Sequence, residues 1–137
     1  MTTAAAGSMK SQMIYVDTTA AVKRISDEQE SDGLRSYLDE EPARISSDLF
    51  ATELRRIGIR HGIDQVLITT IVDGVTLVPL TRDQLREAGL YPQVGLRSLD
   101  GLHLASALAV DAAAILAYAL RLSEASRAHG MQVIPPK

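Results

Sequence analysis

Short apolar runs alternate with amphipathic stretches along this chain. A short apolar run bounded by polar residues predicts a buried strand, and apolar residues that recur every three or four positions predict a helix. The strands predicted in this way are Met13–Asp17, Ala43–Ser46, Val75–Leu80, Ala113–Tyr118 and Gln132–Ile134. The predicted helices are Thr19–Ile25, Ser31–Leu38, Asp48–His61, Asp64–Asp73, a helix that Thr81 caps and that continues through Ala88, Ser98–Val110 and Leu120–His129. This alternation predicts an α/β fold, with a central parallel five-stranded sheet flanked by helices on both faces.

Length and composition indicate one domain. The chain has 137 residues, of which 46% are hydrophobic and 23% are charged, as in ordinary globular proteins. We assign the domain to residues 13–137. Residues 1–12 are small and polar and include Gly7 and Ser8 ahead of Met9, so we expect a flexible tail or a cloning remnant there.

The absence of certain sequence features excludes several classes of protein. There is no cysteine, which excludes disulfides and thiolate zinc sites and is compatible with a reducing cytosol. No apolar stretch approaches the roughly 18 residues that span a bilayer, and the first residues lack a signal-peptide segment. We therefore expect a cytoplasmic protein with no membrane partner. The net charge of −3 argues against a general nucleic-acid coating protein but not against a nuclease.

Three acidic residues lie on predicted core faces. Asp17 ends the first apolar run, Glu53 lies within the hydrophobic stripe of the helix Asp48–His61, and Asp100 lies within that of Ser98–Val110. On a helical projection from Leu49, Glu53 falls at about 40°, inside the apolar face. A lone carboxylate on a core face costs several kcal/mol unless it is paired or binds a metal. Because ligands of parallel sheets gather at the carboxyl ends of the strands, these acids predict one site for a magnesium-type cation.

Each acid taken alone also has an ordinary structural interpretation. Asp17 suits a turn or a helix N-cap, and Asp100 suits the first turn of a helix, where the helix dipole stabilises an acid. Glu53 is compatible with a boundary position, paired with Arg56 or Arg60. Three separate explanations are then needed, whereas one divalent cation accounts for all three acids.

Other motifs offer less chemistry. His103 lies one helical turn from Asp100, but nothing pairs it with a nucleophile, so a packed or supporting histidine is the favoured interpretation. Neither a G-x-x-x-x-G-K-S/T loop nor a G-x-G-x-x-G after the first strand is present, which argues against nucleotide cofactors. One Phe, four Tyr and no Trp supply a poor platform for stacking single-stranded bases.

Four segments of the chain follow one another in a recognisable order: Ile14–Ala20, Ser46–Leu54, Leu96–Ala105 and Ile115–Leu122. Together they resemble the PIN-domain ribonucleases, specifically the VapC toxins of bacterial toxin–antitoxin pairs. Ile14–Ala20 resembles their opening strand, and Ser46–Leu54 resembles the segment that bears the second acid. Leu96–Ala105 is similar to the third segment and is the most specific of the four, and Ile115–Leu122 is similar to the fourth. The resemblance runs in the family order from Met13 to Pro135.

The chain departs from the family pattern at one important position. The family has an acid directly after the tyrosine of the fourth segment, and here Ala119 follows Tyr118. Two explanations of Ala119 are compatible with the sequence. The acid was lost naturally, or it was deliberately replaced so that a toxic nuclease could be produced. Asp111 is a poor replacement, because it precedes the fourth strand and belongs to its far end. The loss of one carboxylate is expected to weaken a second metal position.

The resemblance implies a metal-dependent endoribonuclease. Asp17 and Asp100 would hold Mg²⁺ or Mn²⁺, and Glu53 would contribute directly or through water; oxygen ligands suit both ions. Thr18 or Thr19 would hydrogen-bond a ligand or a neighbouring carboxylate. Without metal, mutual repulsion is expected to raise at least one carboxyl pKa.

The resemblance also implies partners. They are a cognate VapB-type antitoxin, an RNA substrate and a second copy of the chain in a homodimer. One alternative is a catalytically impaired PIN module, in which Ala119 has broken the site so that it binds antitoxin or RNA without cutting. A phosphoacceptor receiver domain is a weaker alternative, because it needs a lysine near the last strand and only Lys137 lies there.

Overall fold

The order of elements is that of an α/β chain. The structure is a computed structural model that describes residues 13–27 and 43–134; the predicted tail and the predicted helix Ser31–Leu38 lie outside them. The strands are β1 (Ile14–Val16), β2 (Arg44–Ser47), β3 (Thr76–Val78), β4 (Ala114–Leu116) and β5 (Gln132–Ile134). The helices are α1 (Thr18–Asp27), α2 (Asp48–His61), α3 (Gln65–Asp73), α4 (Arg82–Leu90), α5 (Ser98–Ala109) and α6 (Leu120–Ala128).

The strands form one five-stranded sheet in the order β3-β2-β1-β4-β5. Every neighbouring pair is parallel; Tyr15 of β1, for example, pairs with Ile45 of β2 on one side and with Ile115 of β4 on the other. The predicted fold class is therefore confirmed. The first strand lies in the middle of the sheet, so its carboxyl end opens between those of β2 and β4.

Alternating side chains of the central strands build a core on each face of the sheet. Tyr15 and Ile115 belong to the core that contains Leu104 of α5 and Leu122 of α6. The residues that follow them, Val16 and Leu116, belong to the opposite core, which contains Phe50 and Leu54 of α2 and Ile68 of α3. Successive residues of a strand point to opposite faces, so α2 and α5 are separated by the sheet.

Local sequence sets the ends of several helices. α2 ends at His61, and the next residue, Gly62, caps it with a φ of 67°, the left-handed conformation that glycine adopts at little cost. Asp64 caps α3 by accepting the N–H of Val66. Thr81 and Gln84 form a reciprocal capping box at the start of α4, as predicted.

Three strands, β1, β3 and β4, are shorter than predicted, whereas β5 has its predicted bounds and β2 its predicted length. The predicted strand Val75–Leu80 ends as β3 at Val78, because Pro79 has no N–H to donate to a ladder. The predicted strand Met13–Asp17 ends at Val16, because α1 begins at Thr18, directly after Asp17. No helix within the described ranges combines the length and hydropathy that crossing a bilayer requires.

Candidate active site

Asp17 lies at the carboxyl end of the central strand. Its backbone N–H donates to the carbonyl of Leu116 in β4 at 3.1 Å, and its own carbonyl accepts the N–H of Ala21 at 3.1 Å. Asp17 therefore both ends β1 and precedes α1, as the helix-start interpretation required. Its side chain is nevertheless buried, with the residue 5% exposed, which an ordinary solvent-facing cap does not explain.

Burial and neighbouring acids make Asp17 hard to ionise. Its pKa rises from 3.8 to about 6; burial is the largest cause, and His103 opposes it. The charges of Glu53 and Asp100 each raise the pKa further, so both acids act on Asp17. The expected rise in a carboxyl pKa is present, but desolvation contributes more than the mutual repulsion on which that prediction was based.

Glu53 projects from α2 and is held by two donors. The hydroxyl of Thr18 donates to Oε1 of Glu53 at 2.8 Å, and Nε2 of His103 lies 2.6 Å from the same oxygen. The suggested pairing with Arg56 or Arg60 is thus replaced by contacts with α1 and α5. Between the two threonines named from the sequence, Thr18 makes the contact with the carboxylate, while Thr19 is exposed.

His103 is buried at the centre of the site. Its Nδ1 lies 2.7 Å from the hydroxyl of Tyr15, and its Nε2 lies 3.8 Å from Oδ1 of Asp17. Although burial lowers the pKa of this histidine, the hydrogen bond to Glu53 and the charge of Asp17 raise it to about 10. His103 is therefore protonated at neutral pH, and its charge balances that of a neighbouring carboxylate.

Asp100 lies in the first turn of α5 and bridges two elements. Its Oδ2 accepts the N–H of Arg97 at 3.4 Å and lies 2.5 Å from Nε of Arg121 in α6. The first-turn interpretation of Asp100 is therefore correct in its geometry. That interpretation leaves unexplained why Asp100 is 8% exposed and acts on Asp17.

Ala119 and Asp111 lie at opposite ends of the fourth strand. Ala119 is the N-cap of α6, directly beyond the carboxyl end of β4, with no side-chain bond at the cap. Asp111 precedes β4 at its amino end and has a φ of 54°. Asp111 therefore lies at the amino ends of the strands and Asp17 at their carboxyl ends, in agreement with the exclusion of Asp111 as a substitute acid.

Carboxylate oxygens are ligands that Mg²⁺ and Mn²⁺ prefer, so the donor types at this edge fit such an ion. Among the described residues, however, no three acidic or histidine side chains are arranged as a ready set of ligands. The reason is visible in the contacts, because Glu53 faces His103 and Asp100 faces Arg121. A metal ion held by Asp100 would hence have to displace Arg121 from that carboxylate rather than enter a preformed cage.

A buried hydroxyl at the same edge lacks a partner. Ser47 ends β2 beside β1 and is 0% exposed, and its Oγ has no hydrogen-bond partner in the described part of the chain. A buried polar group without a partner is unfavourable unless a ligand or water supplies one. Ser47 is therefore a further side-chain oxygen at this edge of the sheet, where β2 ends beside β1.

Sequence reasoning missed the contacts of Tyr15 and Arg121 and the buried hydroxyl of Ser47. Two indications were available for Tyr15 and His103. Each lies on a predicted core element, and buried hydroxyl and imidazole groups both need hydrogen-bond partners. Nothing in the sequence indicated that they would meet each other, because they are 88 residues apart.

Comparisons with known proteins identify the family of this chain. The PIN-domain family profile matches residues 14–127. The chain is 35% identical over 126 residues to Ribonuclease VapC46 of Mycobacterium tuberculosis (strain ATCC 25618 / H37Rv), with 90% of this chain and 97% of the relative covered. It is 34% identical over 140 residues to Ribonuclease VapC35 and 31% identical over 132 residues to Ribonuclease VapC47, both of M. tuberculosis (strain CDC 1551 / Oshkosh), with the same coverage. The chain therefore belongs to the PIN-domain family, and its resemblance to the VapC ribonucleases is confirmed.

Proposed function

We propose that this chain is the toxin of a VapB–VapC-type toxin–antitoxin pair and a metal-dependent endoribonuclease that cleaves RNA phosphodiester bonds. The observation that carries the proposal is the meeting of Asp17, Glu53 and Asp100, from three separate elements, at one edge of a PIN-domain sheet. The similarity to three VapC ribonucleases over 90% of the chain supports the same activity.

Asp17 and Asp100 would hold the metal ion, with Glu53 acting directly or through a water molecule. The ion, Mg²⁺ or Mn²⁺, would activate a water for in-line attack and stabilise charge on the phosphoryl oxygens. Thr18 and His103 keep the carboxylate of Glu53 in place. Arg121, whose side chain is 40% exposed, balances the charge of Asp100 in the metal-free protein.

The proposed partners follow from membership of the VapC group. They are a cognate VapB-type antitoxin, the RNA that is cleaved, and a second copy of the chain in a homodimer. The proposed location is the cytoplasm, where RNA and antitoxin are both present.

The alternative is a PIN module that binds RNA or antitoxin without cutting. It rests on one observation, the alanine at position 119 where the family has an acid. Three carboxylates and Ser47 remain at the site, so we place the nuclease first.

Cleavage of RNA with and without EDTA, beside Asp17→Asn and Asp100→Asn, tests the proposal. We expect cleavage with Mn²⁺ and none in EDTA. Each substitution should lower the rate by more than the roughly 10- to 100-fold that loss of an outer partner of a metal ligand costs. Asp111→Asn is the matched control, because it removes the same charge at the opposite end of the sheet and should leave the rate unchanged.

Two outcomes would contradict the proposed metal-dependent nuclease, each in a different part. Full activity in EDTA would reject the metal-dependent mechanism. Binding of RNA or antitoxin without cleavage in Mn²⁺ would instead support the impaired module.

A further inference from the structure

A continuous series of hydrogen bonds connects four elements through the site. The hydroxyl of Tyr15 in β1 lies 2.7 Å from Nδ1 of His103, Nε2 of His103 lies 2.6 Å from Oε1 of Glu53, and Thr18 donates to that oxygen at 2.8 Å. The Tyr15 ring also meets the imidazole edge-on, with centroids 5.7 Å apart. Tyr15, Thr18 and His103 are each at most 1% exposed, whereas the side chain of Glu53 is 21% exposed and opens this series of bonds to the site.

The direction of the central bond does not depend on the charge of His103. An ionised Glu53 carries no proton, so Nε2–H of His103 donates to Oε1 in every case. The Tyr15 hydroxyl donates to a neutral Nδ1 and accepts from a protonated one, because a hydroxyl does both. The imidazole is therefore fixed at both nitrogens over the whole range in which Glu53 is ionised.

The bond between His103 and Glu53 crosses the edge of the sheet. Glu53 lies on α2, whose Phe50 and Leu54 belong to one core, and His103 lies on α5, whose Leu104 belongs to the other. Helices on opposite faces of a sheet contact each other only around its edge. The bond forms at the edge where β1 ends, beside Asp17.

Both donors to Glu53 use the same oxygen. Thr18 and His103 both meet Oε1, which occupies the two lone pairs of that atom. The carboxylate of Glu53 is thus held by one oxygen, and Oε2 is the oxygen with capacity for a metal ion or a metal-bound water.

An apolar residue would serve packing alone better than this histidine. A buried polar side chain must find a partner for each polar atom, and a leucine of similar size needs none. His103 has both nitrogens satisfied, and one of its partners is a proposed site residue.

We propose that His103, anchored by Tyr15, is a positioning residue that fixes Glu53 through Oε1 and thereby sets the affinity of the site for its metal ion. This role rests on the proposed metal-dependent function. His103 itself touches neither RNA nor metal in this scheme.

The experiment compares substitutions that remove or keep the donor. His103→Leu removes it, His103→Gln keeps a side-chain N–H near the Nε2 position, and Tyr15→Phe keeps the ring but removes the anchor. His129→Leu is the matched control: its Nε2 lies 3.3 Å from Gln93 at the far end of α6. Mn²⁺ binding to each purified protein is measured by calorimetry, and cleavage kinetics are measured beside it.

We expect His103→Leu to weaken Mn²⁺ binding by about 10- to 100-fold, as for other partners that orient metal ligands. It should lower kcat while leaving KM for RNA unchanged, because RNA binding does not use this histidine. Tyr15→Phe should weaken Mn²⁺ binding less, His103→Gln should restore most of the affinity, and His129→Leu should match the parent.

A structural readout separates this role from simple loss of folding. In the metal-free parent we expect a slowly exchanging imidazole Nε2–H signal of His103 in the NMR spectrum, and we expect Glu53→Gln to shift it. Because Tyr15→Phe and His103→Gln keep the buried volume nearly constant, they report on the bond even if His103→Leu fails to fold.

The outcomes for the two proposals differ. A parent protein that binds no Mn²⁺ overturns the proposed function and, with it, the role of His103. Mn²⁺ binding by the parent that is unchanged in His103→Leu, or unchanged in Tyr15→Phe if the leucine variant does not fold, overturns the positioning role alone. Equal loss of affinity in the glutamine and leucine variants also overturns it.

Discussion

At the scale of single residues, the folded, metal-free protein is less stable when the Asp17 carboxyl is ionised than when it is protonated. Its pKa rises from 3.8 to about 6, chiefly because it is buried. Between these two values the folded protein binds a proton that the unfolded chain has released. The stability of the metal-free protein therefore falls as the pH rises through this window.

We predict that Asp17→Asn stabilises the metal-free protein at pH 7.5. The substitution removes a buried charge, and a pKa difference of this size corresponds to up to about 3 kcal/mol in the free energy of unfolding. The gain should shrink as the pH falls from 6 toward 4, because the parent then becomes neutral at this position. Urea unfolding in EDTA at pH 7.5 and 4.5 measures both effects.

Asp111→Asn serves as the control for this prediction, because Asp111 is exposed and its charge is solvated in both states. A lower free energy of unfolding in Asp17→Asn at pH 7.5 would contradict the assignment of Asp17 as a buried, unfavourable charge.

The sequence singled out the three acids of the candidate site, and Thr18 as a partner of a carboxylate, but not the contacts that His103 and Arg121 make with those acids. Asp17, Glu53 and Asp100 were identifiable because the sequence pattern alone shows a charged residue among apolar positions. The partners of His103 were not, because Glu53 is 50 residues away and the bond forms around the edge of the sheet. Such a contact depends on how α2 and α5 are placed on opposite faces, which no local pattern encodes.

At the scale of elements, the start of α6 lacks a side-chain cap. Ala119 occupies the N-cap in extended conformation, and its carbonyl accepts the N–H of Ser123 at 3.0 Å. An aspartate there would cap the helix and also restore the acid of the family pattern. Asparagine would supply the cap without the charge.

We predict that Ala119→Asp and Ala119→Asn both raise the free energy of unfolding by about 1 kcal/mol through capping. The aspartate variant alone should raise Mn²⁺ affinity and the cleavage rate, by roughly 10-fold, the scale on which groups around metal ligands act. Calorimetry with Mn²⁺ and an RNA cleavage assay measure the difference. If the aspartate variant leaves both unchanged, position 119 is not part of this site.

The approach of α4 to α5 depends on a glycine next to the site. A Cβ at Gly101 would lie 3.2 Å from the carbonyl oxygen of Ala88 in α4, whereas a Cβ at Gly89 would meet nothing within 4 Å. The contact at Gly101 is with a backbone atom of α4, so it can be relieved only by moving one of the two helices.

We predict opposite outcomes for two identical substitutions. Gly89→Ala should raise the free energy of unfolding by up to about 1 kcal/mol, because alanine favours the helix. The free energy of unfolding of Gly101→Ala should be lower than that of Gly89→Ala by about 1–2 kcal/mol, because the helix must shift to admit the methyl group. Thermal melts of the two variants measure this difference. Equal melting temperatures would show that α4 can move to admit the methyl group without loss of stability.

Helices were predicted more closely than strands. α2 begins at Asp48 and ends at His61 as predicted, because a long amphipathic stripe closed by Gly62 leaves little freedom. Three predicted strands were two or three residues too long; the predicted strand Ala113–Tyr118, for example, is β4 (Ala114–Leu116) in the structure. Apolar residues continue past the last ladder bond, so hydrophobicity alone does not mark where pairing ends.

At the scale of the whole molecule, the order of the strands brings distant segments together. β1 lies between β2 and β4, so residues from both halves of the chain flank the end at which Asp17 lies. The alternation of strands and helices was enough to predict the parallel sheet. It was not enough to predict which strands are neighbours, because several orders are compatible with the same alternation.

This strand order bears on how the protein is made. A growing polypeptide on the ribosome, surrounded by RNA, lacks Asp100, His103 and β4 until most of its length has been synthesised. β1 gains its second neighbour only when β4 arrives, so the cleft cannot assemble on the first half of the chain. The proposed site can therefore form only after synthesis has passed residue 116, the end of β4.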